Sequence, residues 1–231
     1  MKKHIVGMLA GLALAASSVG AHAANVTLTG WAFGSGNRVD TTAPSGHYAG
    51  WAGAFTGALS GTAGYDTSAF VTYCIELEEH FSFASDAMTD YRVIEGKRYF
   101  GEFRGDRSIS ERLGKLMTFA SEHAWLVSDA AGSTALQLAI WNVIYDSDYT
   151  VSDGSSRFRD ASAFTTAASS LLAGSLTVTA SRYDVFALQR AGSQDFLLLA
   201  PRLGTVPEPA SLALTGVALA GLALARRRRA R

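Results

Sequence analysis

One stretch limits the possible folds more than any other. Between Ser133 and Tyr145, the residues Leu136, Leu138, Ala139, Ile140, Trp141, Val143 and Ile144 put apolar side chains on nearly every side of a helix. Such a helix has no face to give to water, so other layers must enclose it. Gln137 lies within it, on the same face as Trp141 and Ile144 at helical spacing. Burying an amide without partners costs about 1–3 kcal/mol, so the pattern predicts a specific partner for Gln137.

The neighbouring pattern supplies the enclosing layers. Ser108-Ile109-Ser110-Glu111 reads as a capping box, and Ile109, Leu113, Leu116, Met117, Ala120 and Ala124 follow at helical spacing. A third helix is expected over about 155–173, stopped by Gly174. Before this block the period is two. Val26, Leu28 and Gly30 alternate with Thr27, Thr29 and Trp31. Tyr48 to Leu59 reads as a second strand or hairpin, and Gly61 to Gly64 as a turn. Ala69 to Phe83 is the clearest strand, with Val71, Tyr73, Ile75 and Leu77 on one face and Phe70, Thr72, Cys74, Glu76 and Glu78 on the other. Strands return at 176–180, 183–188 and 196–199. The expected class is α+β: a β-sandwich or barrel with an inserted helical subdomain over about 104–173.

Both ends carry export features. Lys2 and Lys3, the apolar run from Ile5 to Ala16 and the small-x-small pattern Ala21-His22-Ala23 form a secretory signal peptide over 1–23, cut by a signal peptidase after Ala23. At the other end, Pro207-Glu208-Pro209 precedes the apolar stretch Ala210 to Ala225 and a basic cluster of Arg226, Arg227, Arg228, Arg229 and Arg231. As a helix this stretch rises about 24 Å, slightly short of the ~30 Å hydrocarbon core. It is expected to insert in the inner membrane with its arginines on the cytoplasmic side. The tripartite pattern over 206–231 resembles the PEP-CTERM sorting signal of Gram-negative bacteria. The resemblance implies processing by a membrane exosortase, often in species that make exopolysaccharide. It implies an address, with transient inner-membrane anchoring and then a place at the cell surface or outside the cell.

The remaining domain, 24–205, is acidic. It holds 13 of the 20 Lys and Arg but 19 of the 20 Asp and Glu, for a net charge of −6. Nucleic acid is therefore not an expected partner, since phosphate binding needs a basic footprint. The five histidines are scattered and one cysteine is present, so no metal site is expected. Asp146, Asp148 and Asp153 lack calcium-loop spacing. No phosphate loop is visible and no cofactor is expected.

A single cysteine in an exported chain, Cys74, forms no internal disulfide. It is either a small buried hydrophobe or a reactive group. The segments Tyr73-Cys74-Ile75-Glu76 and Leu136-Gln137-Leu138-Ala139-Ile140-Trp141 together resemble the thioester domains of bacterial surface adhesins. That resemblance covers about 69–145. It implies that the Cys74 and Gln137 side chains condense to an internal thioester with loss of ammonia, and that an amine-bearing ligand is then acylated. Ala139, Ile140 and Trp141 match the rest of the helix motif, whereas Leu136 stands where the family usually has Thr. Tyr73 and Trp141 are expected to wall the bond from water, and Glu76, His80 and His123 are candidate proton carriers. The expected role is an adhesin-like module rather than an enzyme. Two other classes stay open: a non-covalent, exopolysaccharide- or biofilm-associated surface protein, and a hydrolase using Cys74 with His80 or His123.

Overall fold

The computed structural model describes residues 23–62, 64–81, 83, 88–151 and 157–202. The sorting tail and nearly all of the signal segment, including Ala21, lie outside the described residues. Among the described residues no helix is long and apolar enough to cross a membrane.

The strands β1 (Ala24–Trp31), β2 (Asn37–Ala43), β3 (Gly46–Ala52), β4 (Phe55–Ser60), β5 (Thr67–Thr72) and β6 (Met88–Glu95) come first. The helices α1 (Gly96–Phe103), α2 (Ile109–Glu122), α3 (Ala130–Tyr145) and α4 (Thr165–Ser175) follow, with a two-residue strand β7 (Arg159–Asp160) before α4. The strands β8 (Tyr183–Arg190) and β9 (Ser193–Pro201) complete the described order. Six strands form an antiparallel sheet in the order β5-β4-β1-β6-β8-β9. The chain leaving β5 then reaches β9 through an antiparallel bridge between Cys74 and Phe196. That contact nearly closes the sheet into a barrel, with Val26, Leu28, Leu59, Tyr91 and Phe196 buried. A smaller sheet, β3-β2-β7, stands apart from it. The described residues are thus α+β with a barrel-like sheet and four α-helices, the helices lying between β6 and β8.

Every residue of α3 from Gly132 to Tyr145 is buried, as its apolar circumference requires. Asp129 caps it, accepting the Gly132 N–H at 2.7 Å. The Thr134 hydroxyl donates to the Ala52 carbonyl at 2.9 Å and accepts from the Asn37 amide at 3.0 Å, tying α3 to the small sheet. The helix is therefore held between the small sheet and α2 and α4, with its orientation fixed by polar contacts.

Several elements differ from the sequence pattern. Tyr48 to Leu59 is split between β3 and β4, strands of different sheets, and Gly53 between them has φ +149°, a conformation that favours glycine. β6 was not expected, because only Tyr91 of its eight residues is fully buried and no alternation marks it. α1 was not expected either: it is short, and only Gly96, Tyr99 and Phe100 face inward. The capping box does not form. Ser108 has helical backbone angles and its hydroxyl donates to Asp106 instead, at 2.6 Å. α4 starts at Thr165 because Arg159–Asp160 pairs with β2, and it continues past Gly174, where the Phe119 ring would lie 2.2 Å from an added Cβ. Residues 176–180 form no strand; Leu176 there is exposed.

Candidate functional site

The site grows out of the barrel seam. At the Cys74–Phe196 bridge the hydrogen bonds belong to the flanking residues: the Ile75 N–H donates to Asp195 O at 3.1 Å, and the Leu197 N–H to Tyr73 O at 2.9 Å. This is the non-hydrogen-bonded type of antiparallel pair, so the N–H and C=O of Cys74 point away from β9. On that side β4 has already ended, since its first residue, Phe55, pairs with Thr72. The backbone of Cys74 would be left unpaired in the interior.

Gln137 supplies both missing partners. Its Oε1 accepts the Cys74 N–H at 3.0 Å, and its Nε2 donates to the Cys74 carbonyl at 2.8 Å. The Gln137 side chain is fully buried. The partner that the helix pattern demanded is thus residue 74 itself, reached across 63 positions of chain. Trp141, one turn further along α3, is buried, and its indole N–H has no hydrogen-bond partner among the described residues.

Cys74 lines a groove of about 360 Å³ together with Trp31, Tyr48, Trp51, Phe81, Phe83 and Trp141. Phe55 packs at its base, with the Trp31 and Phe81 rings each 4.7 Å from its own. Trp51 is 62% exposed and Phe83 43%, so the mouth keeps apolar rings in contact with solvent. Polar groups in the wall are Thr41, Glu76, Glu79, His80 and Gln194. Tyr73 is buried but is not part of this wall. The shielding expected of it comes instead from residues on β1, β3 and the 81–83 segment. Ala139 and Ile140 are buried in the helix interior and do not line the groove. His80 lies in the wall, whereas His123 stacks on Phe119 at the end of α2 and takes no part.

The cysteine is a free thiol among the described residues. Burial, reinforced by the Glu76 charge, pushes its pKa well above the usual thiol range. Glu76 is half-buried. Its Oε1 accepts the Asp195 N–H at 2.8 Å. Burial first, then the neighbouring Asp195 charge, raise its carboxyl to about 8. Asp195, which no sequence pattern marked, is buried and held by the Tyr99 hydroxyl at 2.7 Å and the Arg190 N–H at 2.8 Å. Burial raises it to about 6. Glu78 behaves oppositely. Burial pushes it up, but hydrogen bonds from Tyr145 and Ser45 and the Arg104 charge outweigh this and bring it down to about 2. Glu78 therefore ties the 77–78 turn to α3 and Arg104, outside the groove wall.

Asp146 and Asp148 hold their own loop. Asp146 accepts the N–H groups of Arg157 and Phe158, and Asp148 accepts the Asn142 amide. Asp153 lies outside the described residues. Among the described residues no group of three or more His, Cys, Asp or Glu is arranged to hold a metal.

Residues 205–229 match the PEP-CTERM protein-sorting motif. This motif marks an exported protein that an exosortase sorts, with membrane-associated processing and a destination at the surface. The match includes Pro207, Glu208, Pro209 and Arg226 to Arg229, and reaches neither Cys74 nor Gln137. No match to the chain is found among curated proteins or among solved structures.

Proposed function

We propose that the exported domain is an adhesin-like surface module that attaches covalently to an amine-bearing ligand through a Cys74–Gln137 thioester. One observation carries this reading: the Gln137 amide is held on the backbone of Cys74, the residue that carries the only thiol of the chain and that itself lines a groove walled by aromatic rings. The chemistry follows from that placement. The Cys74 sulfur adds to Gln137 Cδ, and the thiol proton passes to Nε2, which departs as ammonia. Atoms balance without a cofactor. The Cys74 N–H already donates to Oε1, so it stands where charge develops on the oxygen during attack. The same N–H stays on the acyl oxygen of the product and polarises it toward an incoming amine. The surface address supports a ligand outside the cell. We further propose a Gram-negative envelope, an N-terminal signal peptide removed after Ala23, and a ligand on the cell surface or in exopolysaccharide.

A second reading has its own support. The two hydrogen bonds give the Cys74 N–H and C=O and both polar atoms of the Gln137 amide a partner, as in a non-covalent surface or matrix protein where the amide only plugs the barrel seam. Intact mass of the mature domain separates the two. The thioester form is lighter than its sequence by one ammonia, has no titratable thiol, and gains the mass of methylamine when treated with it. A domain at its full sequence mass with one free thiol refutes the covalent reading.

A further inference from the structure

We propose that Glu76 takes the proton from the incoming amine, so that the groove admits a primary ammonium ion and delivers it as free amine to the Gln137 acyl carbon. This rests on the thioester reading above.

Glu76 lies two residues beyond Cys74, and both line the same groove. Its carboxylate is positioned at one oxygen only. Oε1 is fixed by the Asp195 N–H at 2.8 Å, while Oε2 has no hydrogen-bond donor among the described residues. The titratable groups that act on or face it are Cys74, Glu78, Glu79 and His80 on its own segment, Tyr91 on β6, Tyr99 on α1 and Asp195 on β9. Arg104 and Arg190 act on Asp195, Glu78 and Tyr91 rather than on Glu76. Among the described residues, neither Glu76 nor Glu79 forms an ion pair with an Arg or Lys. Trp31, Tyr48 and Trp51 line the same groove, and aromatic rings attract a cation placed over their faces. A protonated amine fits that combination better than a neutral or anionic group does. Burial and Asp195 lift the Glu76 carboxyl to about 8, which suits a proton acceptor working near neutral pH.

The step balances. The ammonium gives one proton to the Glu76 carboxylate and becomes a free amine. The amine nitrogen bonds to Gln137 Cδ, the Cδ–sulfur bond breaks, and the second nitrogen proton passes to the Cys74 sulfur. The products are a secondary amide on Gln137, a Cys74 thiol and a protonated Glu76, which returns its proton to solvent.

The test uses the mature domain and two nucleophiles, with capture followed by intact mass. Methylamine is an ammonium ion at pH 7.5, whereas hydroxylamine is already neutral. Glu76→Gln is expected to keep the missing ammonia, to capture methylamine about a hundredfold more slowly, and to capture hydroxylamine within about threefold of wild type. Glu76→Asp, which keeps a carboxylate, is expected to recover part of the methylamine rate. Equal methylamine rates in wild type and Glu76→Gln overturn the proposal while leaving the thioester reading intact. Equal slowing with both nucleophiles overturns it as well, because the effect would not concern the amine proton. A Glu76→Gln domain that never loses ammonia moves Glu76 into bond formation and also overturns it. A wild-type domain at full sequence mass is a different failure, since the thioester reading itself then falls.

Discussion

Replacing Cys74 with Ala gives the covalent and non-covalent readings different stabilities. Cys74 and Gln137 are 63 positions apart, so a bond between them closes a long loop. Closing a loop of that length restricts the unfolded chain by about 4 kcal/mol in the chain-entropy account. Loss of the buried sulfur adds about 1 kcal/mol. Against this, the variant regains an intact Gln137 amide, whose Nε2 again reaches the carbonyl of residue 74, a gain of about 1 kcal/mol. The net loss is about 4 kcal/mol, or about 8–16 °C in Tm for a domain of this size. Without the bond, the substitution removes only a small apolar group, and both Gln137 hydrogen bonds survive because they run to backbone atoms. The loss is then about 1 kcal/mol, or about 2–4 °C. Methylamine treatment of the wild type opens the same loop without a substitution and should lower Tm by a similar 8–16 °C or so. Thermal unfolding followed by circular dichroism reads both. If Cys74→Ala stays within about 4 °C of wild type and methylamine has no effect, the cross-link does not exist.

Two further outcomes follow from the fold. Glu76 and Asp195 have carboxyls raised to about 8 and about 6, so their stabilising neutral forms are complete below the unfolded values and are lost as pH rises through the folded ones. Glu78, lowered to about 2, contributes stability above its unfolded value that disappears as pH falls toward 2. The urea midpoint of the domain should therefore be higher at pH 5 than at pH 8, and Glu76→Gln should shrink that difference; an equal or higher midpoint at pH 8 contradicts the assignment. In the barrel, a Cβ on Gly57 would lie 2.0 Å from the Thr27 carbonyl oxygen of the adjoining strand, where backbone leaves no room to give. Gly57→Ala should cost about 2–3 kcal/mol, whereas Gly30→Ala, with nothing within 4 Å, should cost far less; matched Tm values for the two variants would show that β4 can shift away from β1.

The parts of this structure legible in the sequence are those where one residue type leaves a single physical option. An all-round apolar helix must be enclosed, and α3 is; an amide inside it must find partners, and Gln137 does. β1 shows the expected alternation, with Ala24, Val26 and Leu28 buried. Legibility ends where burial is decided by distant chain. β6 presents one fully buried side chain, so its strand identity comes from pairing with β1 and β8. Asp195 lies in an apolar strand, and its role depends on Tyr99 and Arg190 arriving from elsewhere. Ser108 satisfied a local capping pattern, yet Asp106 two residues earlier offered its hydroxyl a charged acceptor. Of the two residues expected to wall the site, Trp141 lines the groove and Tyr73 does not; alternation already sets Tyr73 on the face opposite Cys74, and it cannot say that Trp31, Trp51 and Phe81 will arrive from other segments.

The barrel seam explains why chemistry and packing coincide at residue 74. A sheet that closes imperfectly leaves one residue whose backbone groups have no strand to meet, and a buried unmet pair costs about 2–6 kcal/mol. Any side chain able to donate and accept at once relieves that cost, and a glutamine amide does so with its two ends set against one N–H and one C=O. The arrangement that relieves the cost also sets the Gln137 amide on the residue that carries the thiol, with a donor on its oxygen. The plug itself uses only the backbone of residue 74, so a small apolar side chain such as Ala meets the structural need nearly as well. A cysteine there, the only one in the chain, adds nothing to the plug and supplies the one nucleophile that can exchange ammonia for a reactive bond. The identity of residue 74, more than that of residue 137, is therefore what favours covalent attachment over packing.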